Sequence, residues 1–383
     1  MRFHELLLKN LIRRKLRSLL TVSGVAVAIA TVVTLVGVSY GLKRSAAEAF
    51  ESHGVDLVVV RTGTVQRVSS SMNEDLAGRL AEMPGIAHVI PALTDVVSLG
   101  GEGLIGVPVH GWTPDSSIWD TVTITAGRRL ESDESGSVVL GSLLAHNLGK
   151  GLGDEVEIEQ KNFKVVGVFE TKSVYESGAA VVPLHDLQDL MDRPGQVTEF
   201  MIVLDKKLAD RAATLADLRA RIVKLHDQQD KPLGLTAQET EEYVNNDLEI
   251  QLAEDMAWAT SLIALSIGSV GVLNTMLMSV LERTQEIGVL RAIGWPKLRI
   301  VRMIVGESFV LSLAGAGLGM LVAVTLTASL SRLPAAGGLI RGDTSLGVLA
   351  AGLGVASGMG LVGSLYPALR GASLRPTEAL HYE

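Results

Sequence analysis

The chain has 383 residues, of which 47% are hydrophobic and 4% aromatic, with a mean hydropathy of +0.33 and a formal net charge of −8. So apolar an average over this length excludes an ordinary soluble domain and directs attention to membrane segments. The absence of cysteine excludes disulfides and thiolate metal sites, and leaves the redox compartment open.

The N-terminal string MRFHELLLKNLIRRKLR places Phe3, Leu7, Leu11, Ile12 and Leu16 at helical spacing. Lys9, Arg13, Arg14 and Arg17 fall mostly elsewhere, so residues 1–17 read as a basic amphipathic helix lying on an anionic membrane face. The alternative is the charged flank of the span that follows. Residues 18–42 carry no charge and are long enough to cross a bilayer core of about 30 Å. A signal peptide is the other reading of this stretch, but its apolar core would be shorter.

Residues 43–252 are different in kind: polar, mixed in pattern and long enough for a core of their own. Residues 55–61, 86–93, 138–140, 155–159, 164–169 and 198–204 read as strands. Residues 73–83 and 208–226 read as helices, the first opened by an Asn73 cap. Strand–helix pairs thus stand at both ends of the region, with a Gly-rich, strand-rich stretch between. The expected arrangement is an α/β subdomain built from about 43–104 and 191–252, with a mostly β insert at about 105–190.

Three further uncharged runs, 256–281, 308–331 and 344–369, give spans over 256–281, 304–331 and 344–369. Small residues recur four apart at Ala264 and Gly268, Gly315 and Gly319, and Gly354 and Gly358, a spacing that lets helices approach closely in lipid. The expected fold is therefore an α-helical four-span bundle plus an α+β extracytoplasmic domain.

Charge orients it. Residues 1–20 hold six Lys/Arg against one acid, and residues 282–303 hold five against two. The connector 332–343 has two arginines. The positive-inside rule puts the N-terminus, the 282–303 loop and the 370–383 tail in the cytoplasm, and residues 43–252 outside. That outer region has 19 Lys/Arg against 33 Asp/Glu, which argues against nucleic-acid binding.

Sites for chemistry are missing from the sequence. No Gly-x4-Gly-Lys-Ser/Thr string occurs, since Gly149-Lys150 runs into Gly151. The histidines show no zinc-type pair, and there is no Gly-x-Ser-x-Gly elbow. The spans hold almost no ionisable group of the kind an ion-coupled carrier needs, and Asn274 reads as a helix-packing residue. The chain reads as a non-catalytic subunit whose energy source lies on another molecule.

The loop between the second and third spans, ERTQEIGVLRAIGWPKLRIVRMIVGES, holds a short amphipathic helix over 282–293, stopped around Gly294 and Pro296. Ile287, Leu290 and Ile293 could insert into a partner's groove, with Glu282, Glu286 and Arg291 pairing at its rim. A solvated cytoplasmic turn with anchoring arginines is the competing reading. Glu307 reads as an acid at the start of the third span, where it complements a helix N-terminus; its alternative role is contact with a partner or with the first amphipathic helix.

These strings carry a resemblance. NLIRRKLRSLLTVSGVAVAIA, GLKRSAAEAFESHGVDLVVVRTG, GRRLESDESGSVVLGSLLAHNLGKGLGDEVEIEQKNFKVVGVFE, ERTQEIGVLRAIGW and YPALRGASLRPTEAL together resemble the FtsX-like permease family of ABC transporters, most closely its MacB type. The resemblance implies an outer domain of porter type with a sabre-like insert, in an inner membrane. It implies a second permease copy or paralogue, and two copies of a separate ABC ATPase that hold ATP and Mg, since this chain carries no fused ATPase domain and no cofactor is expected in it. It also implies that Glu282, Arg283, Glu286, Ile287, Gly288, Leu290, Arg291, Gly294 and Glu307 couple the chain to that ATPase. Membrane lipids would contact Lys9, Arg13, Arg14 and Arg17. Three functions follow: mechanotransmission for efflux of a periplasmic or membrane substrate with a periplasmic adaptor; LolC/LolE-like extraction of lipoproteins or lipids, with a lipoprotein carrier; and FtsX-like signalling to a cell-wall hydrolase. An outer domain of this size speaks against the third.

Overall fold

The computed structural model describes residues 15–63, 70–99, 104–132, 134–227, 229–330 and 345–373. The expected in-plane helix with Lys9, Arg13 and Arg14, the 332–343 connector and all but the start of the tail lie outside these residues, as does the side chain of Arg17. The described residues form two compact units, a helical one (15–40, 254–329 and 345–373) and an α/β one (41–253).

In chain order, α1 (Lys15–Ser52) leads to β1 (Leu57–Arg61), β2 (Met72–Asn73), α2 (Leu76–Ala81), β3 (Ile86–Leu99) and β4 (Leu104–Trp112). A 3-10 turn, Ser117–Asp120, precedes β5 (Thr123–Gly127), β6 (Ser137–Gly141), α3 (Ser142–Leu148), β7 (Glu155–Ile158) and β8 (Lys161–Glu170). There follow a single turn α4 (Val174–Ser177), β9 (Ala180–Pro183), α5 (Leu184–Leu190), β10 (Gln196–Val197), β11 (Glu199–Leu204), α6 (Arg211–Val223), β12 (Leu235–Glu239) and α7 (Thr240–Asn246). The last described elements are α8 (Leu248–Glu282), α9 (Thr284–Ala292), α10 (Lys297–Leu330) and α11 (Leu346–Ser373).

In the α/β unit one sheet runs β12-β1-β11-β3-β4-β9-β6-β8-β5, with β7 added on β8. The expected α/β and β-rich parts meet within this sheet, and β3 is what joins them. Its residues 86–92 pair antiparallel with β11, and its residues 93–99 pair antiparallel with β4. Side chains alternate across the pleat. Leu57, Val59, Val138, Leu140, Ala180, Val182, Phe200 and Ile202 point to one face, where Leu76 and Leu80 of α2 and Leu218 and Ile222 of α6 cover them. Val58, Val139, Val181 and Met201 point to the other face, where Ala46 and Phe50 of α1, Trp119 and Tyr243 cover them. Three layers result, with apolar cores on both faces of the sheet.

Several boundaries differ from those expected. The helix expected from Asn73 starts at Leu76, because Asn73 pairs in β2 and its Oδ1 accepts from the Asp75 N–H two residues on, a local turn rather than a cap. The helix expected over 208–226 is Arg211–Val223, capped by Asp210 accepting from the Ala213 N–H. Strand β4 contains Pro108, opposite Val96, a residue type that sequence rules exclude from an inner strand.

The loop from β5 to β6 is fixed by carboxylates. Glu134 receives both terminal nitrogens of Arg128 at 2.7 and 2.8 Å and the Ser137 hydroxyl at 2.6 Å. The Arg128 bond, ahead of the opposing effect of burial, holds the Glu134 carboxyl well below the usual range, at about 2. Burial pushes Asp186 up, but bonds from Ser135, the Gly136 N–H and Lys161 outweigh it and leave the group lowered.

Among the described residues, four helices are long and apolar enough to cross a membrane: α1, α8, α10 and α11. Val25, Ile29, Val33, Val272, Met276, Ala316 and Met359 form their shared core. Of the three small-residue pairs, Gly315 and Gly319 serve the expected purpose, since a Cβ on either would strike Val25 or Ala26 of α1 at 2.5–2.7 Å, and so does Gly268, where a Cβ would lie 2.5 Å from Met359 of α11 and 3.0 Å from Ala28 of α1. Gly354 and Gly358 face open space, and on α11 the close approaches fall instead at Gly352, Gly360, Gly363 and Gly371.

Candidate functional site

The candidate site is the corner where α8 ends, α9 crosses and α10 begins. Glu282 closes α8 rather than opening α9, and Arg283, with φ −109°, makes the break. The Thr284 hydroxyl donates back to Leu281 O at 2.7 Å, easing the reversal. At its other end α9 stops as the sequence requires. Gly294 sits at φ +98°, its N–H donates to Arg291 O, and the Trp295 N–H donates to Leu290 O, both at 3.1 Å. This is a Schellman closure, for which glycine is the low-strain residue. Pro296 follows, and α10 begins at Lys297.

The inner face of α9 packs on Val280, Ile300, Met303, Ile304, Ala368 and Ala372, with Leu290 and Trp295 half-buried against them. Gly371 permits this packing, since a Cβ there would lie 2.8 Å from Val280 and 3.2 Å from Ile304. Ile287 belongs to this core at 2% exposure. It is therefore not the outward-facing side chain that the sequence suggested, because the chain's own helices cover it. Gly288 is buried beside it. The apolar side chains that do face outward are Val289 (44% exposed), Ile293 (72%) and, across the turn, Leu298 (58%).

Arg283 organises the charges. Its Nη1 donates to Glu307 at 3.0 Å and its Nε to Glu286 at 2.9 Å. The Arg283 and Glu307 side chains are 11% and 10% exposed, whereas Glu286 is out in solvent. Glu307 thus departs from the expected helix-start role: α10 begins ten residues earlier, about 15 Å along the axis, so the carboxylate pairs with a guanidinium instead. Arg291 donates to Trp295 O at 3.1 Å, and the Arg299 guanidinium lies 4.2 Å over the Trp295 ring. These contacts stiffen the turn from α9 to α10.

The corner brings together Arg283, Glu286, Ile287, Gly288, Leu290, Arg291, Gly294 and Glu307, with Glu282 exposed at its edge. Sequence reasoning missed Val289 and Leu298 and the Trp295–Arg299 stack. The Val289–Ile293 spacing of four was the available signal, since it marks a helix face distinct from that of Ile287. The corner can offer an apolar ridge with a charged margin, and nothing in its geometry bears on a reacting bond. Among the described residues no group of three or more His, Asp or Glu could hold a metal ion.

Two family models match the chain: the MacB-like periplasmic core domain over residues 18–222 and the FtsX-like permease C-terminal region over residues 258–376. The macrolide export ATP-binding/permease protein MacB of Nitrobacter winogradskyi is 26% identical over 385 residues, covering 95% of this chain and 58% of that protein. The chain thus spans about three fifths of the length of that exporter and of the Bdellovibrio bacteriovorus one, of which it covers 61%. An uncharacterised ABC transporter permease of Methanocaldococcus jannaschii is 25% identical over 394 residues, covering 98% of this chain and 96% of that one. The crystal structure of the periplasmic region of MacB from Actinobacillus actinomycetemcomitans aligns with a TM-score of 0.39 at 14% identity, over 51% of this chain and 94% of that one.

Proposed function

The chain belongs to the MacB-like periplasmic core domain family, joined to an FtsX-like permease C-terminal region, and from that premise we propose that it transmits ATP-driven motion from separate cytoplasmic ATPase subunits to its outer domain. It is an ABC transporter permease with an extracytoplasmic domain, and permeases of this family work with ABC ATPase partners. In the proposed assembly two permease copies, or this chain and a paralogue, sit on two ATPase subunits that hold ATP and Mg. The α9 corner is the docking point. The reading rests above all on the outward ridge of Val289, Ile293 and Leu298, margined by Glu286 and backed by a packed core, the form of a short helix that seats in a partner's groove. Such a corner passes force because its inner face is continuous with α8, α10 and α11.

The work done outside is efflux of a periplasmic or membrane substrate in concert with a periplasmic adaptor, a use supported by the macrolide exporters among the relatives. A second reading, extraction of a lipid or lipoprotein, draws on an apolar groove of about 530 Å³ lined by Val27, Thr31, Leu318 and Val322. Purification of the full chain from its native membrane is expected to bring down an ABC ATPase in about equal amount. Recovery without any nucleotide-binding subunit would overturn the proposal.

The basic N-terminal segment and the basic corner support an orientation with both termini in the cytoplasm and the inner membrane as the site. The chain has no cysteine, so single introduced cysteines report cleanly. Ser132→Cys, exposed in the outer unit, is expected to react with a membrane-impermeant maleimide in intact spheroplasts, and Lys297→Cys only after lysis. The reverse pattern would invert the topology.

A further inference from the structure

The last three turns of α1 belong to the α/β unit, and they are held there from two sides. On one side the contact is apolar: Phe50 meets Tyr243 edge to face at 5.4 Å. On the other side it is polar and buried. The Ser173 hydroxyl donates to Ser45 O at 2.8 Å, and the Tyr175 N–H donates to the Ser45 hydroxyl at 2.9 Å. Just past the helix, His53 reaches the same turn, with Nε2 2.5 Å from Glu176 Oε1. Residues 171–177 connect β8 to β9, the strands on either side of β6 in the sheet.

The other contacts of His53 place its Nδ1 proton. Its Nδ1 lies 2.5 Å from the Thr121 hydroxyl oxygen, and that hydroxyl donates its only hydrogen to Ile118 O at 2.6 Å. Nδ1 must therefore carry a proton and donate it. Glu176 Oε2 accepts from the Thr171 hydroxyl at 3.2 Å. Nε2 faces Oε1 and both side chains are buried, a setting that an imidazolium against a carboxylate satisfies. No protein function described above uses this pair.

We propose that His53 and Glu176 form a buried ionic latch that ties the outer end of α1 to the β8–β9 turn, making this turn the point where the sheet receives movement of α1. His53 is a positioning residue: it acts by holding Ser45 and Ser173 in contact. The purpose of the latch rests on the mechanotransmission reading, whereas its existence does not, and the test below involves no ATPase.

Hydrogen exchange of the full-length protein in lipid nanodiscs reads the latch directly, since the Tyr175 amide donates across it. His53→Ala is expected to raise exchange across residues 173–179 by at least about tenfold, while amides of β1 and β12 keep their wild-type rates. Glu176→Gln preserves shape but removes the charge. It is expected to raise exchange in the same segment about threefold and to convert the His53 nitrogen resonances from imidazolium to a neutral ring. The Ser45 and Ser173 hydroxyl oxygens lie 3.4 Å apart, so S45C with S173C supplies a covalent substitute. When oxidised in the His53→Ala background this pair is expected to restore protection, and reduction is expected to remove it. Unchanged exchange in both H53A and E176Q, a neutral His53 ring in the wild type, or a disulfide that forms without restoring protection would each overturn the latch. If H53A loosens the whole unit, the E176Q rates and the nitrogen resonances decide between these outcomes.

Discussion

Joint replacement of Val289 and Ile293 by Asp is expected to abolish recovery of the partner ATPase with the purified chain, while the amount of chain in the membrane stays at the wild-type level. Both side chains are exposed on the outer face of α9, so the substitutions leave no cavity and bury no charge in the free protein. In a docked complex the same positions would have to desolvate two carboxylates in an apolar groove. Anchoring side chains of this kind carry about 2–4 kcal/mol each, so a loss of affinity of at least about a hundredfold is expected. Ile287→Asp also separates the chain from its partner, but for a different reason: it places a charge in the core formed with Val280, Ile300 and Ile304, and the bundle fails first. Comparing the two variants by pull-down and by thermal unfolding separates docking from folding. Wild-type recovery of the ATPase with V289D/I293D would remove the corner as the docking site.

Arg283→Ala is expected to destabilise the helical unit by about 3 kcal/mol, and Arg283→Met combined with Glu307→Leu to recover most of that loss. The ion pair is nearly closed off from solvent, so removing the guanidinium takes from the buried Glu307 carboxylate its partner at 3.0 Å, whereas removing both charges in favour of apolar side chains of similar size leaves no charge there. Thermal unfolding of the full chain in one detergent tests this. A double variant as unstable as the single one would show that the pair does not stand alone. Coupling should respond differently from stability. Arg283 sits at the break between α8 and α9 and ties it to α10, so the stable double variant is expected to bind the ATPase yet to transmit motion poorly.

The latch and the corner share a physical form. In each, a residue at or just past a helix end is paired with a carboxylate far off in sequence, His53 with Glu176 and Arg283 with Glu307. A buried pair of this kind resists being pulled apart, since each separated charge would meet an apolar surround. Helix ends are where a rigid rod must hand its displacement to something else, so strong, directional contacts belong there.

By itself the sequence marked four candidate spans, since residues 18–42 and 256–281 are uncharged over the length a helix needs to cross a bilayer core. It also determined the stop of α9, because Gly294 followed by Pro296 admits little other geometry, and the absence of a nucleotide-binding string from these 383 residues. Strands β3 and β8 were legible through their β-branched runs, whereas β4 was hidden by Pro108 and its glycines. What only the tertiary structure decided was which face of each element is covered. Periodicity shows that α9 has distinct faces, but Ile287 is inside and Val289 outside only because α10 and α11 pack on one of them. In the same way no local pattern could join His53 to Glu176 across 123 residues, or show that β3 carries one sheet through both halves of the outer domain. Those facts come from long-range packing, and the proposed docking ridge and the proposed latch both depend on them.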